Sequence, residues 1–340
     1  MKDNGMKWVI VANIMAIIVI GLLICANIIE RRYEQQQNDE IEFARTYDYD
    51  LALTPQNCDN INGTANIVLI TDANYMDFTR VAISSAKENK CPNSKYNFHI
   101  LTLDISDSDT EALKALASDS VTISVLPQKE IDLFYIRNTH VSKASLLKYY
   151  IANVLPNLNK VLYLDTDILV LHDLNSIYNT NIDGKYLAAV KDPSWFFENT
   201  HVVELGLEER GFYFNSGVML MNLDKIRKDN FITKLEEYTN NNYRTYMDQD
   251  AFNVLAGNEV ALLPFEANTM NFFFEHIDLN TMGEFYERNW TDIDDVFKNA
   301  IVIHFASSKK PLSSMAPKTE FFHMLQRLWY KYYAPLPPLK

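Results

Sequence analysis

Lys160-Val-Leu-Tyr-Leu-Asp165-Thr-Asp167-Ile-Leu-Val-Leu171 sets two carboxylates, one residue apart, between two apolar runs. The apolar residues read as a buried strand, central in its sheet and covered on both faces. Desolvating two like charges side by side is costly, so such a strand needs compensation. A divalent cation at the strand end supplies it, and hard carboxylate oxygens favour Mg2+ or Mn2+. A metal held in this way also holds phosphates. The alternative is a strand that stops at a turn with both aspartates in water, and the flanking apolar runs argue against it.

Composition agrees with a folded enzyme-sized body. The chain has 340 residues, 48% hydrophobic and 22% charged, which is globular usage. Its formal charge is -13 with no long basic run, which excludes nucleic acid as the main partner. A nucleotide stays open as a ligand, because a metal neutralises its phosphates locally.

Residues 1–7 form a short tail. Residues 8–29 carry no charge and are interrupted only by Asn13, Gly21 and Asn27. At full helical rise they span roughly 33 Å, enough for a bilayer core. A cleaved signal peptide is the rival, but its apolar region is shorter and ends in small residues. The expectation is an uncleaved signal-anchor, making a single-pass membrane protein. Lys2 and Lys7 on one side balance Arg31 and Arg32 on the other, so charge does not orient it. Cys58 and Cys91, the two cysteines outside the span, either pair in an oxidising compartment or remain thiols. Asn62-Gly-Thr64 and Asn289-Trp-Thr291 are glycosylation sequons. These hints lean towards a lumenal body, in Golgi or ER if the source is eukaryotic. Residues 30–64 are polar without amphipathic period and read as a stem.

The body, 65–340, reads as one α/β domain. Ile67-Val-Leu-Ile70, Asn97-Phe-His-Ile-Leu-Thr-Leu103 and Val121-Thr-Ile-Ser-Val125 are strands separated by helical segments. That order implies a mainly parallel sheet with helices on both faces. Ligands then sit beyond the carboxyl ends of the strands, where Asp72, Asn74 and Tyr75 would share a crevice with Asp165 and Asp167. A helix over 142–155 leads to the central strand. Further strands are expected near 186–190, 211–222, 260–263 and 300–305, and an aromatic helix over 320–333. Only nine glycines are present, with no G-x-G-x-x-G or G-x-x-x-x-G-K, and H-E-x-x-H, C-x-x-C and G-x-S-x-G are absent too.

Six pieces then fall in order: Thr71-Asp-Ala-Asn-Tyr75, His140-Val-Ser-Lys-Ala-Ser-Leu-Leu-Lys148, Tyr163-Leu-Asp-Thr-Asp167, Phe214-Asn-Ser-Gly217, Met247-Asp-Gln-Asp250 and His304-Phe-Ala-Ser-Ser-Lys-Lys310-Pro. Together they resemble glycosyltransferase family 8, a retaining group of GT-A fold, from about Asn66 to Pro311. The resemblance implies Mn2+, with Mg2+ as a substitute, on Asp165, Asp167 and His304, gripping the diphosphate of a UDP-sugar. It implies Tyr75 on uracil, Asp72 and Asn74 on base and ribose, and Lys310 on the diphosphate. It implies Asp248 and Gln249 at the donor sugar, with Asn215 and Ser216 beside it. His140, Val141, Lys148, Thr166 and Ser307 fall inside the donor-binding pieces. The acceptor would be a glycan, glycolipid or glycoprotein.

Two positions depart from the family's pattern. Lys148 stands where an arginine is usual, keeping charge but losing the bidentate fork. Ser307 stands where a glycine is usual; its N–H is still on offer, but Cβ adds crowding. Two rival readings share the motif. Asp165-Thr-Asp167 also resembles the nucleophile strand of haloacid-dehalogenase-type phosphatases, with Asp294-Asp295 as a late acidic pair. A catalytically inactive UDP-sugar-binding protein on the same fold is the other.

Overall fold

The computed structural model describes Met15 and residues 51–128, 143–194, 199–242, 246–307, 310–312 and 319–339. The chain divides into two compact units, one holding 51–307 with 331–340 and the other 1–50 with 308–330. No helix of the described residues is long and apolar enough to cross a membrane. The expected span 8–29 lies outside those residues except for Met15.

The first unit is built on a seven-stranded sheet. Its strands are β1 (Gly63–Thr71), β2 (Ser94–Thr102), β3 (Val121–Pro127), β4 (Lys160–Leu164), β6 (Leu187–Lys191), β7 (Phe214–Asn222) and β8 (Val260–Leu262), in the order β3-β2-β1-β4-β7-β6-β8. β1 is parallel to β2 and β4, and β2 to β3, while β7 runs antiparallel to both β4 and β6. The sheet is therefore mixed and mainly parallel, as expected. Val161, Leu162, Tyr163 and Leu164 of β4 are all buried, because neighbours cover both faces of a central strand.

The two aspartates stand just past the end of the central strand, as expected, while the apolar run after them belongs to a different strand. β4 ends at Leu164, and its last ladder link is the Asp165 N–H to the Gly217 carbonyl, 2.7 Å. The chain then leaves for a second sheet of β5 (Ile168–Val170), β9 (Thr269–Met270) and β10 (Val302–His304), in the order β5-β10-β9. In it Ile168 lies opposite His304. Asp165-Thr-Asp167 is thus the seam between two sheets. Two apolar runs around a polar break look the same in sequence whether or not they share a sheet.

β7 spends five steps, Met219 to Phe214, where β6 spends two, Ala189 to Lys191. The excess falls on Asn215-Ser216-Gly217, a bulge that re-aims side chains at the sheet edge. The helix expected over 142–155 is present in two pieces. Lys143–Tyr150 is a 3-10 helix, followed by a short α-helix, Ile151–Val154. Three residues per turn stack positions i and i+3, which carries Ser145 and Lys148 to the same cavity.

Residues 51–62, read above as the end of the stem, are tied to this unit. Cys58 and Cys91 are joined by a disulfide, the Thr54 N–H donates to the Lys298 carbonyl at 2.9 Å, and Gln56 Nε2 donates to the Asn89 carbonyl at 2.7 Å. Residues 331–339 hold the helix Met76–Asn89 from another side. Asn89 Nδ2 donates to the Tyr332 hydroxyl at 2.7 Å, and the wholly buried Arg80 donates to the Pro337 carbonyl.

Candidate functional site

Strand pairing explains why three distant residues meet. Ile168 opposite His304 puts the imidazole beside Asp167, and the Phe305 N–H bonds the Asp167 carbonyl at 3.0 Å. His304 Nε2 lies 3.4 Å from Asp167 Oδ1 and 3.7 Å from Asp165 Oδ2. The ligand atoms of Asp165, Asp167 and His304 all lie within 4.8 Å of one another. One ion can be reached by all three, and two carboxylate oxygens with one imidazole suit a transition metal such as Mn2+.

Beside the cluster opens a cavity of about 300 Å³. Among the described residues, Asp72, Asp165, Asp167 and Asp248 face it and Lys148 is the cation that does. Lys148 is 4% exposed, donates to Asp248 Oδ2 at 2.8 Å and lies 3.2 Å from Asp165 Oδ1. Burial works against its charge, but Asp165 and Asp248 outweigh that and hold its pKa above the usual lysine value. Burial, reinforced by Asp165, also pushes the Tyr163 hydroxyl well up, so it stays protonated and donates to Asp165 Oδ1. Replacing Lys148 with methionine strands Asp248 and Asp165 without their cation. The expected loss is roughly 3–5 kcal/mol, at the low end because Asp165 is part-exposed. Urea unfolding of K148M beside wild type measures it.

Behind the cavity runs a network of carboxamides whose directions two backbone N–H groups decide. Gly217 N–H donates to Asn215 Oδ1 at 2.9 Å, so Asn215 Nδ2 is the group facing Asp192 Oδ2 (3.1 Å) and Gln249 Oε1 (3.1 Å). Ser216 N–H donates to Gln249 Oε1 at 3.0 Å, which leaves Gln249 Nε2 to donate to Asp192 Oδ2 at 3.3 Å. The oxygen of Gln249 therefore has two protein donors already. Ser216 Oγ reaches Asp248 Oδ2 at 3.1 Å. Met247, just before this pair, has φ 26, a left-handed conformation that a non-glycine residue adopts at a cost, often at functional sites.

A family model for glycosyl transferase family 8 matches residues 66–316. The chain belongs to that family. A putative glycosyltransferase of Haemophilus influenzae is 31% identical over 206 residues, 59% of this chain and 62% of that protein. The chain thus spans less than two thirds of that relative's own length. A lipopolysaccharide 1,2-glucosyltransferase of Escherichia coli is 26% identical, over 83% of this chain and 82% of its own. Among solved structures, the galactosyltransferase LgtC in complex with donor and acceptor sugar analogues superposes with a TM-score of 0.67 at 21% identity, covering 81% of this chain and 97% of that one. That likeness establishes the fold, the GT-A type expected of family 8.

Of the positions assigned through the family 8 motifs, Asp72, Tyr75, Lys148, Asp165, Thr166, Asp167, Ser216, Asp248 and Gln249 line the one cavity. Asn74 does not; it is exposed, and its backbone N–H is capped by Asp72 Oδ1 at 2.9 Å. Asn215 stands behind the cavity as the hub of the amide network. The Ser307 N–H, expected on offer to a phosphate, donates to the Phe305 carbonyl at 2.8 Å. Lys310 belongs to the other unit, and His140 and Val141 lie outside the described residues. The phosphatase reading fails with the family match. Asp294 and Asp295 are not in the cluster, and Asp295 pairs with Lys298 at 2.6 Å.

Asp192 and Asn268 entered the network unforeseen. Asp192 could have been found as a polar residue at the end of the strand Tyr186-Leu-Ala-Ala-Val190. For Asn268 the sequence carries no signal, because its partners lie 36 and 53 positions away.

Proposed function

We propose that this chain is a retaining glycosyltransferase that moves a hexose or pentose from a UDP-sugar to an acceptor hydroxyl on a glycan, glycolipid or glycoprotein. The observation that carries the reading is the convergence of Asp165, Asp167 and His304 at the edge of an acidic cavity. The described lining offers a diphosphate four carboxylates and one ammonium, a balance that favours its entering with a cation. Asp165, Asp167 and His304 would hold Mn2+, or Mg2+ in its place, and the ion would neutralise charge on the leaving diphosphate.

The chain's own residues do the rest. Lys148 holds Asp248 against the cavity wall, ready for sugar hydroxyls. A covalent route needs a nucleophile below C1. Gln249 does not provide one, since its oxygen is taken by Asn215 and Ser216. Asp192 is 3% exposed, accepts from Asn215, Gln249 and Ser194, and is not on the cavity wall. The reading is therefore front-face attack, because the residue that the family motifs put below C1 is an amide and not a carboxylate. The bond from C1 to the phosphate oxygen breaks, the bond from C1 to the acceptor oxygen forms on the same face, and the acceptor proton passes to the departing UDP.

The test is a panel of UDP-sugars with Mn2+ or Mg2+, scored for UDP release and for anomeric configuration of the product. One donor turned over with retention supports the reading. Tight UDP binding with no turnover of any donor would point to the inactive binding protein instead. We also propose that residues 8–29 anchor the chain as a single-pass membrane protein with its body on the oxidising side, Golgi or ER lumen if eukaryotic. The Cys58–Cys91 disulfide supports that side. Protease protection of intact vesicles reports the side directly.

A further inference from the structure

The imidazole of His304 has two nitrogens, and only Nε2 faces Asp165 and Asp167. The other, Nδ1, lies 3.0 Å from Asn268 Oδ1. Which of the two carries the hydrogen is decided outside the histidine. Gly217 N–H pins Asn215 Oδ1 as an acceptor, so the Asn268 group 2.9 Å from it must be the NH2. Asn268 then presents its oxygen to Nδ1, which must donate, and the lone pair of His304 is left on Nε2, aimed at the carboxylates.

Asn268 is wholly buried and its place is set by the fold. It closes the 3-10 helix Phe265–Asn268, and two residues later Met270 pairs with His304 across β9 and β10. Its two ends face different parts of the site. One faces the imidazole; the other reaches Asn215, which contacts Gln249 and Asp192.

We propose that Asn268 is the positioning residue that sets the tautomer of His304 and, through Asn215, couples it to the carboxamide of Gln249. A disturbance at either end is transmitted as a change of amide orientation, because each carboxamide in the network has its oxygen and nitrogen assigned by its neighbours. This inference rests on the metal reading proposed above and goes beyond it by naming the residue that makes the imidazole a competent ligand.

Two variants of the full chain in detergent separate the two ends. Asn268→Ala removes both contacts. Mn2+ binding, read by calorimetry without any donor, is expected to weaken roughly 10- to 100-fold, the usual cost of losing a hydrogen-bonded partner behind a metal-bound histidine. Asn268→Asp keeps an oxygen for Nδ1–H but turns a second oxygen towards Asn215. It is expected to bind Mn2+ within about threefold of wild type or tighter, yet to lose at least tenfold in kcat at saturating metal. Thermal melts establish that each variant is folded.

A folded N268A with the Mn2+ affinity of wild type overturns the tautomer role. N268D with kcat of wild type overturns the coupling to Gln249. If N268A does not fold, N268D decides both halves, since Mn2+ binding weakened as much as in a ligand knock-out would show that the oxygen of Asn268 is not what His304 requires. A wild-type chain that binds no Mn2+ fells the metal reading itself, a result distinct from either.

Discussion

Gly217→Ala is expected to disable the site, although glycine to alanine adds a single carbon. A Cβ built at Gly217 comes 2.3 Å from His304 Cε1, 2.8 Å from Asp165 Oδ2 and 3.0 Å from Asn215 Oδ1. None of these neighbours is the loose end of a flexible chain. His304 is pinned by Asn268, Asp165 by Tyr163 and Lys148, and Asn215 by the Gly217 N–H and Asn268. The methyl group therefore pushes apart two of the three groups expected to share one ion. Overpacking of this kind costs roughly 1–3 kcal/mol in stability, while the loss in transfer should be on the order of 100-fold or more, since ångström shifts at a positioned centre are that costly. Titration with Mn2+ and kcat/KM for UDP-sugar measure it. G217A binding Mn2+ as wild type would show that the carboxylates and imidazole need not converge.

Asp165→Ala and Asp167→Ala should each remove metal-dependent transfer, by on the order of 1000-fold or more, because the charge that neutralises the leaving diphosphate is lost with the ion. Asp165 also accepts from Tyr163 and faces Lys148, so D165A leaves buried donors short of a partner and lowers the melting temperature as well. D167A keeps the backbone bond from Phe305 to the Asp167 carbonyl. Turnover unchanged in either variant ends the metal reading of this pair.

The strands of the large sheet were legible because burial writes itself into composition. Ile67-Val-Leu-Ile70 and Val161-Leu-Tyr-Leu164 are apolar on both faces, which only a covered strand tolerates. The direction of β7 was not legible, since the run Val218-Met-Leu-Met221 is equally apolar whichever way it lies. The 3-10 winding of Lys143–Tyr150 was hidden for a related reason: Ala-Ser-Leu-Leu-Lys fits an α-helix as well, and the difference lies in which side chains must reach the cavity.

By itself the sequence determined that an α/β body carries twin carboxylates at the carboxyl end of a central strand, and that a late histidine and an Asp-Gln pair belong with them by family. Local residue type and order suffice for that, because burial and strand ends are local properties. Only the tertiary structure decided that the strand breaks at those carboxylates to join a second sheet. It alone brought Gly217 and Asn268 against His304, locked Lys148 between Asp165 and Asp248, and gave the oxygen of Gln249 two donors, Asn215 and Ser216. Those are contacts between residues tens of positions apart, and hydrogen-bond direction passes from one to the next only once the strands are in register.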